Sequence, residues 1–186
     1  MRRIIPILLS CFLLFGCRNT EDLMDRVLAF RSSLVNGTGC EFEAEITADY
    51  QAEQCTFKMN CKTDIDGNIT FRVISPDSIS GITGILSADS GRLTFDEHAL
   101  LFSMLADGRI SPVSGPWILM NALKSGYINS CGQAEGGYVL HIDDTFMKEA
   151  IEVQIHTNGE FIPKSADVCY KGNRILLINV KNFVIL

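Results

Sequence analysis

The sequence predicts an α+β domain, a curved antiparallel β-sheet covered by an N-terminal helix and a short mid-chain helix. Three observations carry that prediction. A helical pattern opens after Glu21, and strict apolar–polar alternation runs from Cys40 to Tyr50 at the head of a long strand succession. One Pro- and Gly-bounded helix, between Pro116 and Gly126, interrupts that succession midway. A sheet with one apolar face needs a cover, and these two helices are the candidates for it.

The chain of 186 residues is 47% hydrophobic and 20% charged, which is the composition of a globular body rather than a disordered one. That length suffices for one domain with its own core. Sixteen Lys+Arg stand against 22 Asp+Glu, so the net charge is −6. An acidic balance argues against nucleic acid, whose phosphates are bound by clustered cations.

Taken in order, the stretch EDLMDRVLAFRSSLV places Met24, Val27, Leu28, Leu34 and Val35 on one stripe of period 3.6. Acidic residues sit in its first turn and Asn36-Gly37 follow its end, as helix termini prefer. From Cys40 to Tyr50 the even positions are Cys40, Phe42, Ala44, Ile46, Ala48 and Tyr50, and Glu41, Glu43, Glu45, Thr47 and Asp49 between them are polar. Such alternation is a strand with one dry face and one wet, acidic face. After a turn near Gln51–Glu53, Cys55, Phe57, Met59 and Cys61 resume the inward row. Lys58 and Lys62 point outward, where cross-strand pairing sets them against the glutamates.

Asp64-Ile65-Asp66-Gly67-Asn68 reads as a turn: it starts like a calcium loop, but the downstream bidentate Glu is missing. Ile69, Phe71 and Val73 continue inward until Pro76. A hairpin follows from Ile82–Ala88 to Arg92–Phe95, and His98–Met104 is a further strand. Ser111–Gly115 leads into the mid-chain helix, with Trp117, Met120 and Leu123 near one side. Strands return at Tyr127–Cys131, Tyr138–Ile142, Ile151–His156, Phe161–Tyr170 and Arg174–Phe183, the last two joined at Lys171-Gly172-Asn173.

Five cysteines lie beyond residue 17: Cys40, Cys55, Cys61, Cys131 and Cys169. Their spacing holds no CxxC and no cluster with His, so no metal site is expected. If the first hairpin turns at Tyr50-Gln51, Cys40 falls opposite Cys61, and these two are the candidate disulfide pair. A longer turn slides them apart.

Ahead of the domain, Arg2 and Arg3 precede an apolar run from Ile4 to Phe15 that is too short to span a membrane and suits a secretory signal segment. Leu14-Phe15-Gly16-Cys17 then resembles the lipobox of bacterial lipoproteins. The resemblance implies cleavage before Cys17 and a diacylglycerol on its thiol, with palmitate-type acyl chains holding the protein to the membrane; Phe15 departs from the usual residue at its place. Two other readings are a lipobox ending at Cys11, behind a much shorter apolar core, and a plain secretory signal with Cys17 incidental. The expected organisation is residues 1–16 as signal peptide, 17–22 as lipidated N-terminus and short tether, and 23–186 as one domain. Two or three acyl chains anchor stably where one anchors marginally.

The order of elements, the Ser111-Pro112…Leu123 segment and the ending Pro163…Val168-Cys169-Tyr170-Lys171-Gly172-Asn173-Arg174…Phe183 resemble the LolA/LolB-like lipoprotein-carrier superfamily. That resemblance implies an unclosed half-barrel plugged by its helices, with a cavity for acyl chains between sheet and helices. The candidate lining residues are Phe42, Ile46, Phe57, Met59, Phe71, Val73, Leu86, Phe95, Trp117 and Met120. It also implies the membrane, a lipid or other amphiphile, and an envelope protein as partners, on the extracytoplasmic face of the cell membrane (periplasmic where there are two). The alternative is an interaction or scaffold lipoprotein whose same residues form a solid core.

No enzyme is expected. The three histidines, His98, His141 and His156, are scattered, and none has nucleophile or metal spacing. Neither GxGxxG nor a phosphate loop is present, so no cofactor is expected.

Overall fold

A computed structural model describes residues 18–50, 53–88, 90–95, 98–103, 105–106, 109–145 and 150–186. Helix α1 runs from Arg18 to Asn36. Strands β1 (Cys40–Tyr50), β2 (Glu53–Thr63), β3 (Ile69–Ser75), β4 (Thr83–Leu86), β5 (Ser90–Phe95) and β6 (His98–Ser103) follow as a meander. A two-stranded ribbon, β7 (Leu105–Ala106) with β8 (Arg109–Ile110), precedes helix α2 (Gly115–Ser125). The chain returns through β9 (Tyr127–Ala134), β10 (Gly137–Asp143), β11 (Ile151–Thr157), β12 (Pro163–Tyr170) and β13 (Asn173–Ile185).

Eleven strands form one antiparallel sheet in the order β6-β5-β4-β3-β2-β1-β13-β12-β11-β10-β9. Every neighbour is also a neighbour in sequence except β1 and β13, which join the two meanders at the sheet's centre. The strands at the two ends, β6 and β9, do not pair with each other, so the sheet is open: an α+β half-barrel.

The alternation of β1 is realised from Cys40 to Ala48: Cys40, Phe42, Ala44, Ile46 and Ala48 are buried, and the side chain of Tyr50, expected to continue the row, is outside the described residues. On the outer face Lys58 meets Glu45 at 2.8 Å and Lys62 meets Glu41 at 2.7 Å, the expected cross-hairpin pairs. The hydrogen bond from Lys58 holds the Glu45 carboxyl below the ordinary carboxylate range.

The hairpin register differs from the one that would align two cysteines. Its pairing sets Phe42 opposite Cys61 and runs to Tyr50 opposite Glu53, one residue farther along than a Tyr50-Gln51 turn. Cys40 instead lies at Thr63, whose Oγ1 accepts a hydrogen bond from the Cys40 amide at 2.7 Å. Both thiols are buried and free, so the Cys40–Cys61 disulfide is not formed. Burial pushes both thiols up, away from the thiolate. Cys55, expected inward, is exposed near the hairpin end.

Along α1 the buried stripe is Leu23, Val27, Phe30 and Leu34, at spacings of four, three and four. Leu28 and Val35, expected on it, sit one residue out of phase and are 47% and 56% exposed. The helix also starts at Arg18, three residues ahead of the expected start at Glu21.

Two local devices shape the long C-terminal strand. Lys171 and Gly172 both have positive φ, 52° and 75°, which makes the mirror-image two-residue turn between β12 and β13. Farther on, Asn182 at φ 53° creates a bulge against Glu41–Glu43. The extra residue reverses the parity of the strand: Ile178 and Val180 face inward before it, and Phe183 and Ile185 pack against the core after it. Phe183 thereby stacks on Phe42 with ring centroids 5.6 Å apart.

Candidate functional site

Helix α2 carries two faces. Ile118, Leu119, Ala122 and Leu123 are buried in the common core. Trp117, Met120, Asn121 and Lys124, at the i, i+3, i+4, i+7 spacing of one helical side, line an opening. The opposite walls are the β2–β3 turn, with Thr63, Asp66, Gly67 and Asn68, and the β4–β5 turn, with Ser87, Ala88 and Ser90. This rim cleft has a volume of about 490 Å³.

Its walls are fixed by local chemistry. Asp64 accepts hydrogen bonds from the Asn68 amide at 2.8 Å and from Asn68 Nδ2 at 2.9 Å, closing the turn. The same bonds hold the Asp64 carboxyl below its ordinary value. Ser87 Oγ donates to the Ser90 carbonyl at 3.1 Å. Gly126 ends α2, its amide donating to the carbonyls of Asn121 and Ala122.

Across the helices, Arg31 of α1 donates through Nε to the Leu123 carbonyl at 2.8 Å and through a terminal nitrogen to the Ala122 carbonyl at 3.1 Å. A cation on the carbonyl end of a helix complements its dipole, and here it adds to the Gly126 amide as a donor to Ala122. Burial lowers the Arg31 guanidinium below its ordinary value. Arg26 ties α1 to the sheet, donating to Tyr138 Oη at 2.9 Å beside the stacked pair of Tyr138 and Phe161.

The ten expected lining residues do not come together at this cleft. Trp117, half-buried, and Met120, 3% exposed, line it. Phe42, Ile46, Phe57, Met59, Phe71, Val73 and Leu86 are 0–7% exposed and belong to the one continuous core cluster. Phe95 lies on β5, and its side chain is outside the described residues, as are residues 1–17 with Cys17. Sequence reading missed Asn121, Lys124 and the two turns. The helical spacing from Trp117 was the signal for the first two, whereas nothing local reveals that the turns face α2.

Two further depressions lie on the polar side of the sheet. One, about 500 Å³, is an open trough edged by Glu41, Glu43, Lys62 and Arg72 beside the bulge at Asn182, and two of the expected lining residues, Phe42 and Phe71, reach it with Cys61. The other, about 310 Å³, includes His141, Asp143, Glu152 and Cys169. Among the described residues no group of three or more His, Cys, Asp or Glu is placed to hold a metal ion. Among them also, no helix is long and apolar enough to cross a membrane.

The fold defines a class: an open antiparallel half-barrel with two helices on its apolar face. Solved structures with a similar chain path include a LolA superfamily protein from Nitrosomonas europaea, at 6% identity and TM-score 0.46, covering 84% of this chain and 91% of that one. A DUF1329 family protein from Desulfovibrio piger is similar at 8% identity and TM-score 0.49, covering 87% and 90%. The Mycobacterium tuberculosis lipoprotein LppX is similar at 10% identity and TM-score 0.40, covering 86% and 94%. No protein-family model matches the sequence, and no curated protein matches it.

Proposed function

We propose that the protein is a lipoprotein anchored through Cys17 to the extracytoplasmic face of the cell membrane, where it binds a lipid or another amphiphile. The observation that carries this reading is the rim cleft, where Trp117 and Met120 connect an opening of about 490 Å³ to the apolar core. Trp117 and Met120 form the apolar side of a cleft otherwise lined by polar groups such as Asp66, Asn68, Asn121 and Lys124, which suits the polar end of an amphiphile whose greasy part lies toward the core. Transfer of that molecule to an envelope partner is the role such a tethered binder would serve.

A second reading has its own support. The seven inward residues from Phe42 to Leu86 are almost wholly buried among themselves and their neighbours, as in a solid core. On that reading the protein acts through its surface, as an interaction or scaffold lipoprotein.

Native mass spectrometry of the gently extracted mature protein separates the two. Lipid at fixed stoichiometry, diminished by Trp117→Ala, supports the binder; a bare protein supports the scaffold. For the anchor, Cys17→Ser is expected to leave the chain uncleaved or without lipid. A processed form that still fractionates with membranes would falsify the anchoring account.

A further inference from the structure

We propose that the polar end of the rim cleft recognises a neutral pyranose ring, carried by a soluble glycan or as the head group of an amphiphile; in the second form the inference rests on the function proposed above. A pyranose has an apolar C–H face and a rim of hydroxyls that both donate and accept. Trp117, half-buried on the cleft wall, offers the matching surface, a flat indole with an N–H at its edge. Beside it, Asn121 Oδ1 accepts from Ser125 Oγ at 2.8 Å, which orients the amide and leaves both Nδ2 hydrogens without a partner among the described residues.

Charge decides between a sugar and an anionic head group. Among the described lining residues the cleft holds one cation, Lys124, and one carboxylate, Asp66, on facing elements. Neither makes an ion pair among the described residues, so a phosphate drawn to Lys124 also meets Asp66. A neutral polyol uses both, donating to Asp66 and accepting from Lys124 and Asn121. Asn68 and Ser87 add neutral polar groups on the turns. Hydroxyl and amide groups on three elements thus surround one aromatic plane, which matches the hydroxyl rim and C–H face of a sugar ring.

Isothermal titration calorimetry with cellobiose, chitobiose and inorganic phosphate tests this on the folded protein. Saturable binding of a neutral disaccharide is expected, weakened about tenfold or more by Trp117→Ala and by Asn121→Ala, since each removes a contact the ring needs. Lys124→Met is expected to weaken the sugar only about threefold, because one neutral-ligand hydrogen bond is lost. Thermal melts of each variant establish that it is folded, and Asn121→Ala, at a partly exposed position, is the variant that keeps the test intact if Trp117→Ala unfolds. Vesicles of digalactosyl diacylglycerol against phosphatidylglycerol distinguish a lipid-borne sugar from a soluble glycan. The inference is overturned if neither disaccharide nor galactolipid binds, if binding ignores Asn121→Ala, or if phosphate binds more tightly than sugar. Co-purified lipid without any sugar response sinks this inference and leaves the amphiphile function standing; a disaccharide bound by a protein that holds no lipid does the reverse.

Discussion

The centre of the sheet and its β4–β6 wing both set apolar residues opposite one another, yet they are buried very differently. At the centre, Ile46 of β1 lies opposite Ile178 of β13, and both are 0% exposed. On the wing, Leu100 of β6 lies opposite Leu93, and Leu100 is 63% exposed with Leu101 beside it at 74%. The cause is the cover. Gly115 at the start of α2 approaches so closely that a Cβ there would stand 3.2 Å from Ile178 Cδ1 and 3.4 Å from Ile46 Cδ1. Helix α2 also contacts β10 and β13, whereas β6 is the last strand of the sheet. Burial thus follows distance from two short helices and not the apolar pattern alone.

The sharpest way to break that contrast is at the centre. Ile46→Ala is expected to cost about 2–5 kcal/mol, since it removes a fully enclosed side chain and leaves a space that α2 and β13 cannot close. Urea denaturation measures it as a lowered midpoint with an unchanged slope. A cost below that of a surface change would mean that the centre is loosely packed and that the amphiphile has more room than the rim cleft offers.

Next in size is the junction of the two helices. Arg31→Ala leaves the Leu123 carbonyl without its cross-helix donor, while the Ala122 carbonyl keeps the Gly126 amide, and is expected to cost roughly 1–3 kcal/mol, the penalty for a partly buried polar group that loses its partner. Arg31→Lys should recover only part of this, because an ammonium cannot reproduce a fork reaching two carbonyls. Thermal melts of the pair check the order.

How far the sequence foretold these features depended on whether a signal was local. The β1 strand was legible because eleven residues alternate without exception, and a slip of one would have exposed every apolar one of them. The Lys58–Glu45 and Lys62–Glu41 pairs followed from the same row. The cysteine alignment failed because moving the turn one residue along the chain shifted Cys61 from Cys40 to Phe42. The α1 stripe failed in part because Leu28 and Val35 are as apolar as Val27 and Leu34, and only the packing partner chooses between adjacent helical phases. The bulge at Asn182 and the left-handed Phe161, φ 64°, were invisible for a related reason. The bulge is set by the pairing of β13 with β1, and Phe161 by a local turn in which Asn158 Oδ1 accepts from the Glu160 and Ile162 amides, so neither follows from the residue that carries the positive φ.

The cleft wall itself makes a smaller prediction, one that depends on pH. Asp64 has a lowered value in the folded protein because Asn68 donates to it. Its contribution is therefore complete above the unfolded value, about 3.9, and is lost as pH falls through the folded one. Asp64→Ala should cost about 1 kcal/mol or less at neutral pH, as for an exposed turn-closing side chain, and the difference from the parent should vanish in acid. Stability measured from neutral pH to the acid limit checks this, and a difference that persists there would assign the effect to the turn's backbone and not to the carboxylate.

The smallest effect belongs to the wing, where it completes the comparison. Leu101 lies opposite Arg92, which in turn lies opposite the 49% exposed Ile85, so its side chain shares the outer face of the sheet. Leu101→Ser is expected to change stability by no more than about 0.5 kcal/mol, because little apolar surface leaves or enters water. Chemical denaturation of the isolated protein makes the measurement. A cost approaching that of Ile46→Ala would mean that β6 is covered in solution, by a second copy or by a bound amphiphile. The exposed pair Leu100 and Leu101 would then belong to an interface, and the difference between centre and wing would reflect a missing occupant in place of a missing helix.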